Sequence, residues 1–176
     1  MPNKTIFAIS GSLRTGSSNH HILRHLAKLA PAGINFTIYH NLAQIPPFDP
    51  GLDNGSSPDA VSEFRSFIKH ADAIVICTPE YAYGVPGQLK NALDWTVSSG
   101  SLVDKPLALI TASTGGENAH AALLLILKSA LGANVLEDGA LLIPFVRSKM
   151  DWEGNITDEV TIENLKSVFK ALLNAI

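Results

Sequence analysis

Short apolar runs and helix-spaced apolar residues take turns along the whole chain. Thr5–Ser10 (TIFAIS) predicts a buried strand, and Asn19–Leu29 follows with Ile22, Leu23, Leu26 and Leu29 on one helical face. Ile34–Tyr39 predicts a second strand, and the Pro/Gly/Asp-rich stretch Asn41–Pro58 a long loop. Asp59–His70 predicts a helix with Val61, Phe64 and Ile68 on one side. Ala71–Thr78 (ADAIVICT) is the strongest strand signal, being short, apolar, β-branched and closed by a proline. Val85–Val97 predicts a helix with Pro86 in its first turn, where the missing N–H costs nothing. Leu107–Thr111 predicts a fourth strand, Glu117–Leu131 a helix, Val135–Ile143 a broken fifth strand and Asp158–Leu173 a closing helix.

Strands that alternate with helices need crossover connections, so the sheet is expected to be parallel and covered on both faces. The predicted class is α/β, a doubly wound five-stranded parallel sheet with right-handed connections. With no internal repeat or low-complexity segment, one domain is expected over residues 1–176.

Composition narrows the function. At 46% hydrophobic and 16% charged, the chain has the makings of a packed core. Its formal charge of −3 comes without a basic stripe, which argues against a nucleic-acid partner. No apolar stretch approaches a bilayer span, and Thr5–Ile9 is too short for a signal-peptide core. A single cysteine makes no internal disulfide, so a cytoplasmic location is expected.

In open parallel sheets, ligands bind outside the carboxyl ends of the strands near the switch in strand order. The loops to inspect follow strands one, three and four: Gly11–Asn19, Pro79–Gly84 and Ser113–Asn118. The first is neither of two well-known phosphate loops. A dinucleotide fingerprint needs glycine where Leu13 stands, and a nucleoside-triphosphate loop needs lysine where Ser17 stands. What remains is Ser12, Ser17, Ser18 and Asn19, a single cation at Arg14, and a helix N-terminus behind them. That set suits one terminal phosphate monoester. It equally suits a Ser/Asn-capped helix with a solvated arginine, and the loop alone leaves both open.

In the second loop Tyr81 and Tyr83 either lie against a flat ring or pack at the sheet edge. Glu80 either neutralises a neighbour, reaches a partner subunit or stays in solvent. Ser113-Thr-Gly-Gly116 is a compact turn of a common kind.

Taken together, the loops resemble those of the NAD(P)H-dependent FMN reductase family of flavodoxin-like quinone, chromate and azo-dye reductases. Ser10–Asn19 is similar to the family's phosphate loop G-S-x-R-x-x-S-x-N. Thr78-Pro-Glu-Tyr-Ala-Tyr-Gly-Val-Pro-Gly-Gln-Leu-Lys-Asn-Ala-Leu-Asp-Trp95 is similar to its long T-P-E-Y-N-x-S-x-P-G-x-L-K-N-A-[IL]-D-W signature. The likeness extends to Ile45-Pro-Pro-Phe48 and Asp151–Asp158.

The resemblance implies that Ser12, Arg14, Ser17 and Asn19 bind the FMN phosphate, with Ser18 included on proximity because it fills a variable position. It implies that Pro79, Glu80, Tyr81 and Ala82 line the isoalloxazine, with Ser113 and Gly115 near its pyrimidine edge. Three positions depart from the pattern. Ala82 replaces the usual asparagine, Gly84 a common serine, and Ser113–Ala121 lacks the later glycine pair and arginine.

The function so implied is transfer of hydride from NADPH or NADH through FMN to a small-molecule acceptor such as a quinone, free flavin, azo dye or metal oxyanion. No catalytic acid, base or nucleophile is expected, because the flavin carries the chemistry. The alternative is a flavodoxin-type electron carrier; a hydrolase is disfavoured because no G-x-S-x-G elbow exists.

Cys77 sits in an apolar strand and reads as an inert buried thiol. His21 and His25 are four apart on a helix without a further ligand nearby, so no metal is expected. Ala119–Leu131 is apolar nearly all round, which predicts a second subunit over its outer side. The resemblance likewise implies a homodimer or homotetramer.

Overall fold

The computed structural model describes residues 3–176. Five strands alternate with five helices: β1 Lys4–Ser10, α1 Ser18–Leu29, β2 Ile34–Tyr39, α2 Asp59–His70, β3 Ala73–Thr78, α3 Gly87–Asp94, β4 Pro106–Ala112, α4 Glu117–Leu125, β5 Asn134–Ile143 and α5 Glu159–Asn174. The strands form one sheet in the order β2-β1-β3-β4-β5, and every pairing is parallel. This is the flavodoxin-like doubly wound order, whose switch point lies between β1 and β3.

Side-chain alternation along the strands explains why their sequences are apolar throughout. Phe7, Ile9, Ile74, Ile76, Leu107 and Leu109 point to one face and pack on α2, α3 and α4. Ile6, Ala8, Ala73, Val75, Cys77, Ala108 and Ile110 point to the other and pack on α1 and α5. Both faces are dry, so no position in β3 tolerates a polar residue until Thr78 at its end.

Beyond shifts of one or two residues at element starts, such as β3 beginning at Ala73 rather than Ala71, the third and fourth helices depart most from the predicted elements. The third helix stops at Asp94 rather than Val97, where the chain tightens into three-residue turns: Thr96 N and Oγ1 both donate to Leu93 O (2.9 and 2.7 Å), and Val97 N donates to Asp94 O (3.3 Å). Pro86 is the residue before that helix, not inside it. The fourth helix widens into a π turn at Ile126–Ala130, which keeps Leu123, Leu127 and Leu131, spaced by four, against the sheet. The expected break in β5 is a bulge: Leu107 pairs with Val135, but Leu109 pairs with Ala140.

The long Asn41–Pro58 loop is not loose. Gln88 donates to Leu42 O and Ile45 O (2.7 and 2.8 Å), and Asn91 donates to Pro46 O (2.9 Å) while accepting from Phe48 N (2.7 Å). The indole of Trp95 donates to Pro46 O (2.9 Å), and Phe48 meets its ring edge-on at 5.0 Å. Arg65 joins this cluster through Asp53 (2.8 Å) and the Trp95 carbonyl.

Candidate flavin site

The β1, β3 and β4 ends stand level, with Ser10 beside Cys77 and Thr78 beside Thr111. Gly11 continues the ladder by donating to Cys77 O (2.9 Å). A Cβ on Gly11 would collide with the Thr78 hydroxyl and lie 2.7 Å from its Cβ, so only glycine lets the first loop pass this close. Above the junction opens a cleft of about 490 Å³, within the range of small-molecule sites.

One end of the cleft is built for an anion. Ser17 caps α1 by accepting from His20 N (3.3 Å), which sets the helix N-terminus and its partial positive charge against the loop. Ser12, Arg14, Ser17, Ser18 and Asn19 all line this end. The Arg14 side chain has no hydrogen-bond or ion-pair partner among the described residues, so its charge is available. His20 braces the loop, its Nδ1 lying 3.3 Å from both Ser17 Oγ and Arg14 O. Burial holds this imidazole below its ordinary pKa, against the pull of the Arg14 carbonyl, and so favours a neutral brace.

Around this anion site stands a rim of exposed aromatic rings and turn backbone. Pro79 and Tyr81 come from the β3 loop, Ser113 and Thr114 from the β4 loop. Tyr81 leans over the cleft with its hydroxyl 3.3 Å from Ser12 Oγ, although the residue is 53% exposed. Tyr81 and Gly84 exchange backbone bonds of 3.0 Å around a tight turn in which Ala82 (φ 49°) and Tyr83 (φ 58°) are both left-handed. Neither residue favours that region, so the turn that presents Tyr81 is strained.

Eight of the eleven predicted residues line the cleft: Ser12, Arg14, Ser17, Ser18, Asn19, Pro79, Tyr81 and Ser113. Three of the eleven are engaged elsewhere or lie outside it. Glu80 turns away and accepts from Ala119 N (2.8 Å), acting as the cap that Gly116 cannot supply to α4. Ala82 and Gly115 do not line the cleft, although Gly115 lies close to the Glu80 carboxylate. Asn19 is buried with its side chain bridging two strands, donating to Ala112 O (3.4 Å) and accepting from the Cys77 thiol (3.3 Å). Its backbone N–H and the second N–H of its amide are left for a ligand. Cys77 itself is fully buried, and desolvation pushes its thiol far above the ordinary value. Ser113 Oγ accepts from Glu80 N (3.2 Å) and so ties the β3 loop to the β4 loop.

The turn after β5 contributes four residues that sequence reasoning missed: Phe145, Val146, Arg147 and Ser148. Phe145 is left-handed (φ 51°) and 65% exposed, which places a second aromatic ring on the rim. The signal was the sheet itself, since every strand of a parallel sheet ends on the same side and the fifth loop belonged with the others.

A phosphate loop with a guanidinium unpaired among the described residues, in a cleft rimmed by aromatic rings, fits a flat heterocycle carrying one phosphate. Residues 5–147 match the family described as NADPH-dependent FMN reductase. The chain belongs to that family. It is 34% identical to a quinone reductase of Escherichia coli over 167 residues, covering 91% of this chain and 88% of that one. An NAD(P)H-dependent FMN reductase of Pseudomonas aeruginosa is 30% identical over 171 residues, covering 95% and 92%. The solved flavoenzyme NAD(P)H:(acceptor) oxidoreductase of Paracoccus denitrificans superposes with a TM-score of 0.83 at 30% identity, covering 97% of this chain and 96% of that one. Membership makes the chain an FMN-dependent oxidoreductase that draws on a reduced nicotinamide, and sets aside the electron-carrier alternative. Among the described residues, no cluster of His, Cys, Asp or Glu is arranged to hold a metal, and no helix is long and apolar enough to cross a membrane.

Proposed function

We propose that this FMN reductase-family enzyme passes electrons from NADPH or NADH to a quinone-type small-molecule acceptor within the cleft above β1, β3 and β4. The observation that carries this reading is Arg14, unpaired among the described residues beside the α1 N-terminus, in a cleft rimmed by Tyr81 and Phe145. Bound FMN supplies reversible hydride acceptance, which no side chain here can replace.

The chain's own residues do the binding and orienting. Arg14 pairs with the phosphate, Ser12, Ser17 and Ser18 donate hydroxyl bonds, and Asn19 offers its backbone N–H. Pro79 and Tyr81 hold the ring, Ala82 sets the backbone of the stiff turn behind Tyr81, and Ser113 lies at the ring's polar edge with Gly115 in the loop beyond it. Glu80 acts through its backbone and by fixing α4 beside the β4 loop. Tyr81 and Phe145 narrow the mouth and limit water. The substrate and the acceptor are both planar, so they use the same open face in turn.

The reading extends to the whole chain as one FMN-binding domain in the cytoplasm, assembled as a homodimer or homotetramer. The support for assembly is the outer side of α4, whose second half Ala121–Leu125 is wholly apolar and leaves Leu125 67% exposed. Steady-state oxidation of NADPH and NADH, with a benzoquinone and with oxygen alone, tests the activity. Parallel double-reciprocal lines with the quinone are expected; inertness of the FMN-loaded protein with every acceptor overturns the proposal.

A further inference from the structure

We infer that the Arg147–Gly154 loop forms a second subsite, beside the cleft, for the adenosine-phosphate end of a dinucleotide. The inference rests on the flavin reading of the main cleft and adds a place for a ligand portion which that cleft does not hold. A separate pocket of about 250 Å³ is lined by Arg14, Ser18, His21, Arg147, Met150 and Trp152, with Asp151 and two glycines completing it. Arg14, Ser18 and Arg147 border the main cleft as well, so the two spaces adjoin at the phosphate end. The volume lies below that of a whole-ligand site, so it takes a fragment such as one base with its phosphate.

The chemistry of the lining is that of a nucleotide. Arg147, like Arg14, has no acidic partner among the described residues. One guanidinium answers the flavin phosphate, which leaves the other for a second phosphate. Trp152 is 93% exposed, although it sits on an ordered loop. Met150 bridges to Ile156, Asp151 N donates to Asn155 O (2.9 Å), and Asp151 accepts from Asn155 N and Nδ2 (2.8 and 2.9 Å). Gly154 (φ +86°) rests on the His21 ring so closely that any Cβ would collide with it, which seats the loop on α1. Those bonds engage the Asp151 carboxylate in holding the turn. An indole so presented covers no core of its own, and its free face is suited to stack on a purine.

An adenosine phosphate reaches this site from a nicotinamide dinucleotide or from a flavin dinucleotide. The test titrates the FMN-loaded protein with 2′,5′-ADP, read by tryptophan fluorescence and by calorimetry. The chain has two tryptophans and Trp95 is fully buried, so saturable quenching reports Trp152. Trp152→Ala should abolish the quench, Trp152→Phe should keep the binding heat, and Arg147→Ala should weaken 2′,5′-ADP at least about tenfold. Competition by NADPH, with no advantage of FAD over FMN in loading the apoprotein, assigns the subsite to the nicotinamide donor. FAD held more tightly than FMN, with the advantage lost in Trp152→Ala, assigns it to a flavin dinucleotide. Retained FMN without 2′,5′-ADP binding, or Trp152→Ala binding as well as the parent, overturns this inference alone. Binding of 2′,5′-ADP to a protein that takes up no FMN supports it and overturns the flavin reading.

Discussion

The two motifs that meet above the sheet use their polar residues in opposite ways. In Gly11–Asn19 the Arg14 charge and the Ser18 hydroxyl have no partner among the described residues, and the hydroxyls of Ser12 and Ser17 line the cleft while also bracing the loop. In Pro79–Trp95 most polar side chains are engaged by the fold: Glu80 caps α4, Gln88 and Asn91 pin the long loop, Lys90 pairs with Asp94 (2.6 Å) and Trp95 donates to Pro46 O. The longer motif therefore shapes the cleft more than it binds in it. A long signature is not the same as a long list of ligand contacts.

Substitutions in the second motif should then cost stability first and cofactor second. Trp95→Ala removes a fully buried ring and the bond to Pro46 O, and should destabilise by ~3–5 kcal/mol in a denaturant titration. A loss under 1 kcal/mol would break the contrast. Glu80→Ala strips α4 of its cap and should cost ~1 kcal/mol, with a smaller effect on FMN affinity than any change at Arg14. Ala82→Gly relieves one left-handed residue and should gain up to ~1 kcal/mol, raising Tm by about 2–4 °C for a chain of this size. An unchanged or lower Tm would show that the turn is not strained.

The smallest expected effect is a pH dependence. Burial lowers the pKa of His20, His25 and His120 in the folded protein, and the buried Nε2 of His25 has no hydrogen-bond partner. The unfolded chain therefore binds more protons as pH falls through the ordinary imidazole value of 6.5. Stability conferred by the neutral imidazoles is full above that value, declines below it, and levels off beneath the folded pKa values. Urea midpoints from pH 8 to pH 5 check the sign, and a midpoint that rises on acidification would contradict it.

Much of the fold was legible because burial on both faces leaves unbroken apolar runs, as in Ala73–Thr78, and one-sided burial leaves a helical stripe, as in Val61, Phe64 and Ile68. Ends were less legible where a hydroxyl competes with the helix, as at Thr96. Within the site, residue types showed which loops face a ligand but not which atoms remain free. Asn19 and Glu80 have the chemistry of ligand contacts, yet their side chains are bonded to Ala112, Cys77 and Ala119, partners 39 to 93 positions away. Phe145 and Arg147 carry no motif, so only the common direction of parallel strands brings them to the cleft.

The central claim is that the first loop holds the FMN phosphate through an arginine that the fold leaves unpaired. Flavin retained per chain after gel filtration, identified following heat release, measures this directly for the parent and Arg14→Ala side by side. The account predicts stoichiometric FMN in the parent and a loss of affinity of about tenfold or more in the variant, with an unchanged unfolding midpoint for the two apoproteins. Equal retention in both, or a parent that takes up no FMN, would contradict it.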